Sequence, residues 1–206
     1  MPGGVDMHCH VASSSVNVAR RLLPEDHGRH PATAPLLDDT AAVPRSGTDG
    51  TVPTTFTTGY RYAGLGYTTV FDAAVAPIMA RTAHSQLDDT PIVDGGFFAL
   101  LGNDDYLLRL IDSGDGERAR EYAAWVLAAT GAYAIKIVNP GGVELWKRGT
   151  KERTDLDTAL GSSRITPRAI LETLVDAANT LRLPHAAHIH CNNLGLPGNS
   201  ATTLAT

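Results

Sequence analysis

Cysteine is scarce in this chain. There are two in 206 residues, Cys9 and Cys191, which excludes a disulfide framework and fits a reducing compartment. Positive charge is also in the minority. Seventeen Lys and Arg face 22 Asp and Glu, for a net charge of -5, and no basic run occurs. A nucleic-acid or anionic-membrane surface needs a basic patch, so neither partner is expected. No apolar stretch approaches the ~20 residues of a membrane span. The N-terminus lacks the basic start and apolar core of a signal peptide, so a cytoplasmic location is expected. No G-x-G-x-x-G follows a strand, which argues against a dinucleotide binder. There is no internal repeat.

What is present is a strand–helix alternation. Short β-branched runs at Gly4–Val11, Thr68–Ala73, Ile92–Leu101, Ala132–Val138 and His185–Cys191 read as strands. Helical patterns fall between them at Pro77–Leu87, Tyr106–Ile111, Gly116–Ala129 and Thr166–Leu181. In the last of these Thr166 is the N-cap and Pro167 occupies the first turn. Ile170, Leu171, Leu174, Val175 and Ala178 form its apolar face. Such alternation means a parallel sheet, either open and doubly wound or part of a (β/α)8 barrel. One segment breaks the rhythm. His27–Thr55 is a long Pro-, Gly-, Asp- and Thr-rich loop after the first strand, where α/β folds keep their sites.

Two strands carry the same device. In "GGVDMHCHVA" His8 and His10 alternate onto one face and Cys9 onto the other. In "AHIHCNN" His188 and His190 do the same, with Cys191 opposite. Paired imidazoles at strand ends suit zinc. Both cysteines read as small buried hydrophobes. His185 has the opposite parity to His188 and is expected outside the site. The third signal is "AYAIKIVNPGG", where Lys136 sits inside an apolar strand. A buried ammonium is costly unless it is paired or its pKa falls. A neutral lysine amine can add carbon dioxide to give a carbamate, a bidentate anion able to bridge two metal ions. Asp72 is the candidate partner should Lys136 instead be charged.

"PGGVDMHCH" resembles the P-G-x-x-D-x-H-x-H signature that opens the barrel of the amidohydrolase superfamily. "TGYRYAGLGYTTVFDAAVAP", "DTPIVDGG", "AIKIVNPGG" and "LPHAAHIHCNNLGLPGN" resemble the A-subunit family of formylmethanofuran dehydrogenases and formyltransferase/hydrolase complexes. The resemblance runs from Pro2 to the end. It implies an α/β fold that is a partial (β/α)8 TIM-type barrel, roughly the first five βα units. It implies two zinc ions, with His8 and His10 on one, a carboxylated Lys136 bridging both, and His190 on the second. His188 is then the lesser candidate of its pair. It also implies hydrolysis or formation of the N-formyl amide of a methanofuran-type cofactor in one-carbon metabolism, with other subunits of the complex as partners. Cyclic-amide hydrolysis and a non-catalytic assembly role are the alternatives.

The family has a further histidine after strand six and a proton-shuttling aspartate after strand eight, both beyond Thr206. It also has a β-rich segment upstream. The expectation is therefore one partial barrel domain over residues 1–206, a fragment that alone folds poorly and is inactive. Asp6, Asn139, Asn192 and Asn193 are candidates for contacts to the ligands or the substrate. Tyr60, Arg61 and Tyr62 are candidates for the cofactor's anionic tail or a packed helix face. His27, His30 and His84 read as surface histidines.

Overall fold

The structure is a computed structural model that describes residues 2–13, 16, 55–143, 155–160 and 163–206. The long loop read at His27–Thr55, with His27 and His30, lies outside the described residues apart from Thr55. The elements run β1 (Gly4–Cys9), α1 (Phe56–Gly64), β2 (Tyr67–Val75), a 3-10 turn at Pro77–Met79 and α2 (Ala80–Asp88). They continue as β3 (Asp94–Leu100), α3 (Asp105–Asp112), α4 (Gly116–Thr130), β4 (Ala134–Val138), α5 (Pro167–Thr180), β5 (His188–His190) and α6 (Ser200–Ala205).

The strand order in the sheet follows the sequence, β1-β2-β3-β4-β5. The pairs β1–β2, β3–β4 and β4–β5 are parallel. A doubly wound sheet reverses its order at a switch point. No reversal occurs here, so the order is that of successive barrel units. The chain divides into two compact units, Met1–Phe97 and Phe98–Thr206.

In the first unit, β2 supplies Val70, Ala73 and Val75, all fully buried. Helix α2 adds Ala83 and Leu87. Gly59 of α1 lies against the Pro91 carbonyl so closely that a Cβ would overlap it, which requires glycine there. The pairing of β1 with β2 slips between Asp6 and Cys9, a bulge.

In the second unit, the core gathers Leu101, Leu107, Ala123, Val126, Ile135, Ile137, Ile170 and Leu174. Asp104 caps α3 by accepting the backbone N–H of Tyr106 and Leu107 at 3.0 and 2.9 Å. Thr166 caps α5 by accepting the Ala169 N–H at 3.2 Å, with Pro167 in the first turn. Gly131 ends α4 in a left-handed conformation, φ 65°. The buried face of α5 is Ile170, Leu171, Leu174, Ala177 and Ala178. Val175, assigned to that face from its spacing, is 36% exposed, because at 100° per residue it lies one step past the stripe.

Thr166→Ala should lower unfolding free energy by about 1 kcal/mol through loss of the cap. Leu174→Ala should lower it by about 2–5 kcal/mol through the cavity it leaves. Denaturant titration with an unchanged slope would register both, and equal losses for the two would contradict this assignment of cap and core.

Candidate functional site

The first unit contributes the end of β1. His8 and His10 stand beside one another, ring centroids 5.7 Å apart and planes at 88°. Both are exposed, His10 by 58% of its side chain. Cys9 between them is buried and its thiol donates to the Phe71 carbonyl at 3.1 Å. Burial, and then the nearby Asp6 charge, push that thiol up to about 12. It is therefore protonated and unreactive at neutral pH.

The bulge alters the role expected of Asp6. Its carboxylate accepts the backbone N–H of His8 at 3.0 Å. It also shares the Tyr62 hydroxyl with Cys9, although regular alternation would put Asp6 and Cys9 on opposite faces. Tyr62 is thus a packed residue of α1, edge-on to Tyr67 at 5.7 Å between centroids, and burial raises its phenol pKa. Tyr60 and Arg61 are exposed. His84 is exposed, with its ring edge-on to Phe97 at 5.0 Å.

Asp72 carries more of the site than its place in the sequence suggests. It lies on β2, fully buried. One oxygen accepts the N–H groups of Val11 and Ala12 at 2.9 and 2.8 Å, just past β1. The other accepts Ala74 N–H at 3.1 Å and lies 3.7 Å from His10 Nδ1. The signal for it in the sequence is a lone carboxylate in the apolar run "TTVFDAAV", since a buried carboxylate demands donors.

The second unit contributes the ends of β4 and β5. Lys136 pairs in register with His188, and Val138 with His190. Residues in register share a face, so Lys136, His188 and His190 point the same way. Lys136 is 1% exposed, and its Nζ has no hydrogen-bond partner. Burial lowers its ammonium to about 8, opposed in smaller part by the nearby Cys191. His190 is also lowered, first by burial and then by the Lys136 charge. Its hydrogen bond to the Leu194 backbone favours the protonated form, so the ring N–H donates to that carbonyl. The other ring nitrogen then keeps its lone pair.

His185 stands upstream of β5. β5 begins only at His188, so strand parity does not extend to it. Its ring lies 5.2 Å from Phe98 and 6.1 Å from His188. His188 itself is 4.8 Å from Phe98. Cys191, read as buried, is half-buried just past the strand end.

The three asparagines form turns and tie them together. Asn139 and Asn193 are left-handed, φ 40° and 58°. Asn139 donates its N–H to the His190 carbonyl at 2.9 Å, and its side-chain oxygen accepts the Asn193 N–H at 3.0 Å. Asn192 is fully buried and donates to the Pro140 carbonyl at 3.0 Å, while its Oδ1 has no partner. Helix α6, which the sequence pattern does not announce, supplies Thr202 and Thr203 to Asn193 and Asn192.

Among the described residues no three His, Cys, Asp or Glu side chains gather as a metal-holding group. Each unit by itself still offers donors of a kind that suits a metal ion. Lys136 offers a buried, unpartnered amine that can be neutral, and His190 offers a neutral imidazole oriented by a backbone carbonyl. Adjacent His8 and His10 offer two more imidazoles.

The amidohydrolase family model matches residues 1–206, and the chain belongs to that family. FwdA of Methanocaldococcus jannaschii is 44% identical over 206 residues, all of this chain and 35% of that protein. The A subunit of the formyltransferase/hydrolase complex Fhc of Methylorubrum extorquens is 36% identical over 207 aligned positions, all of this chain and 36% of that protein. The crystal structure of the FhcABCD complex from the same organism, bound to methylofuran, superposes with a TM-score of 0.81 at 33% identity. The match covers 36% of that chain and 100% of this one. The fold class is therefore α/β, part of a (β/α)8 barrel of the amidohydrolase type. The chain spans about a third of the length of the relatives it matches. No helix among the described residues is long and apolar enough to cross a membrane.

Lys136 sets a pH dependence in the metal-free protein. Its folded value, about 8, lies below its ordinary 10.5. Between these values the unfolded chain holds the proton and the folded chain does not, so stability rises with pH across that window. Below about 8 the full penalty for a buried charge remains. The rise should be on the order of 3 kcal/mol, from ~1.4 kcal/mol per pKa unit. It should vanish in Lys136→Met, as unfolding midpoints at pH 7.5 and 10 would record. Parallel pH profiles for the two proteins would contradict a buried, partnerless amine.

Proposed function

We propose that this chain is part of a metal-dependent amidohydrolase whose substrate is the N-formyl amide of a methanofuran-type cofactor. It interconverts the formyl cofactor and water with formate and the amine cofactor. The bond broken is a C–N bond outside a peptide. The observation that carries the reading is Lys136, a buried amine with no partner on the same face as His190. The relatives supply the substrate class, one as part of a formyltransferase/hydrolase complex and one as a complex that holds methylofuran. Partners are proposed to be the other subunits of such a complex, in the cytoplasm.

His8 and His10 are proposed to hold one zinc ion, His190 the second, and a carboxylated Lys136 both. The Lys136 amine is neutral above about pH 8. Its lone pair then adds to carbon dioxide, forming the N–C bond and releasing one proton as the carbamate takes the negative charge. When bound, the metal pair supplies hydroxide near neutral pH and polarises the formyl oxygen. The Leu194 carbonyl fixes the His190 ring through its N–H. Asp6 holds the His8 backbone. The Asn139–Asn193 clasp holds the backbone that follows His190. The chain spans about a third of the length of its relatives, so turnover is proposed for the whole subunit.

Elemental analysis of the protein should find zinc at a fixed ratio, and His8→Ala, His190→Ala and Lys136→Ala should each lose at least half of it. The whole subunit should release formate from a formylated furan amine and leave cyclic ureides intact. Metal content indifferent to all three substitutions would sink the metal reading. Ureide cleavage without formate release would replace the substrate.

A further inference from the structure

Asp72 is a fully buried carboxylate on β2 that the ligand set proposed above does not use. Its two oxygens do separate things. Oδ2 gathers the backbone N–H groups of Val11 and Ala12 at 2.9 and 2.8 Å. These residues follow His10 directly, so the carboxylate fixes the backbone where the two histidines leave the strand. Oδ1 accepts the Ala74 N–H at 3.1 Å, which locks the carboxylate's own orientation. The same oxygen lies 3.7 Å from His10 Nδ1. That is longer than a hydrogen bond, and it sets a buried carboxylate oxygen facing that ring nitrogen.

A carboxylate facing one ring nitrogen stabilises a proton there and leaves the opposite nitrogen basic. Every other acceptor site on Asp72 is directed at a backbone donor, so the carboxylate cannot turn away from His10 without orphaning a buried N–H. We propose that Asp72 is the positioning residue for His10: it holds the proton on Nδ1, so that Nε2 is the nitrogen presented to a metal ion. This deepens the hydrolase reading and rests on it for the metal. The tautomer itself belongs to the metal-free chain.

The test is nitrogen-15 NMR of histidine-labelled protein, with and without zinc, together with zinc affinity by chelator competition. Wild type and Asp72→Asn, which conserves volume, are compared. The expected wild-type result is His10 protonated on Nδ1, with Nε2 shifting on zinc addition. In Asp72→Asn the Nδ1–H population should fall and zinc should bind about 10–100-fold more weakly. A wild-type His10 protonated on Nε2 overturns the proposal, as does unchanged zinc affinity in the variant. Weaker zinc binding with the tautomer unmoved assigns Asp72 a purely structural role and also overturns it. If Asp72→Asn does not fold, the wild-type tautomer decides alone. A wild-type protein that binds no zinc defeats the hydrolase reading, and the metal-free tautomer still decides the role of Asp72.

Discussion

The interior of a parallel sheet offers no water to a charged side chain, and both polar residues that matter most here lie in such interiors. β4 is buried on both faces over Ala134–Ile137, and β2 buries Asp72 and Ala73 on opposite faces. An ionisable group in that setting must find donors or acceptors, or change its protonation state. Asp72 and Lys136 take the two different courses. Asp72 collects three backbone N–H groups, so its charge is satisfied by chain that must pass there anyway. Lys136 collects none, and its amine is driven toward neutrality. One residue becomes a brace and the other is left as an unpaired amine, although both occupy similar positions in apolar strands.

The braces around the candidate site are mostly backbone contacts. Asp6 and Asp72 bind N–H groups on either side of the His8–His10 pair. Asn139 binds the His190 carbonyl and the Asn193 N–H. Such contacts fix where a strand ends and which way its last side chains point. A site built this way is placed by turn chemistry as much as by the residues that would touch a ligand.

Much of this was legible in the chain. All five strands and the four helices α2 to α5 follow from periodicity and caps, since apolar period and capping chemistry act locally. The pairing of His8 with His10, and the common face of His188 with His190, follow from strand alternation, whereas Lys136 joins that face only through the register of β4 with β5. Alternation failed where the backbone is not a regular strand. The bulge between Asp6 and Cys9 brings both to Tyr62. β5 is three residues long, so parity counted from His188 does not reach His185, whose ring lies beside Phe98, and Cys191 is only half-buried. Helix α6 was missed because Ser200–Ala205 has no apolar stripe and no buried residue. Its anchors are the Asn193 side chain, which donates to the Thr202 hydroxyl, and the Asn192 backbone carbonyl, which accepts from Thr203.

By itself the sequence determined the alternation of strands and helices, the caps, the two histidine pairs and the lysine within an apolar run. These depend on residue type and spacing over a few positions. Tertiary structure decided which strands are neighbours, where β1 bulges, that Asp72 turns to backbone donors 60 and 61 residues away, and that Lys136 is left without a partner. Those outcomes depend on which groups meet across the sheet once water is excluded, and no local pattern encodes that.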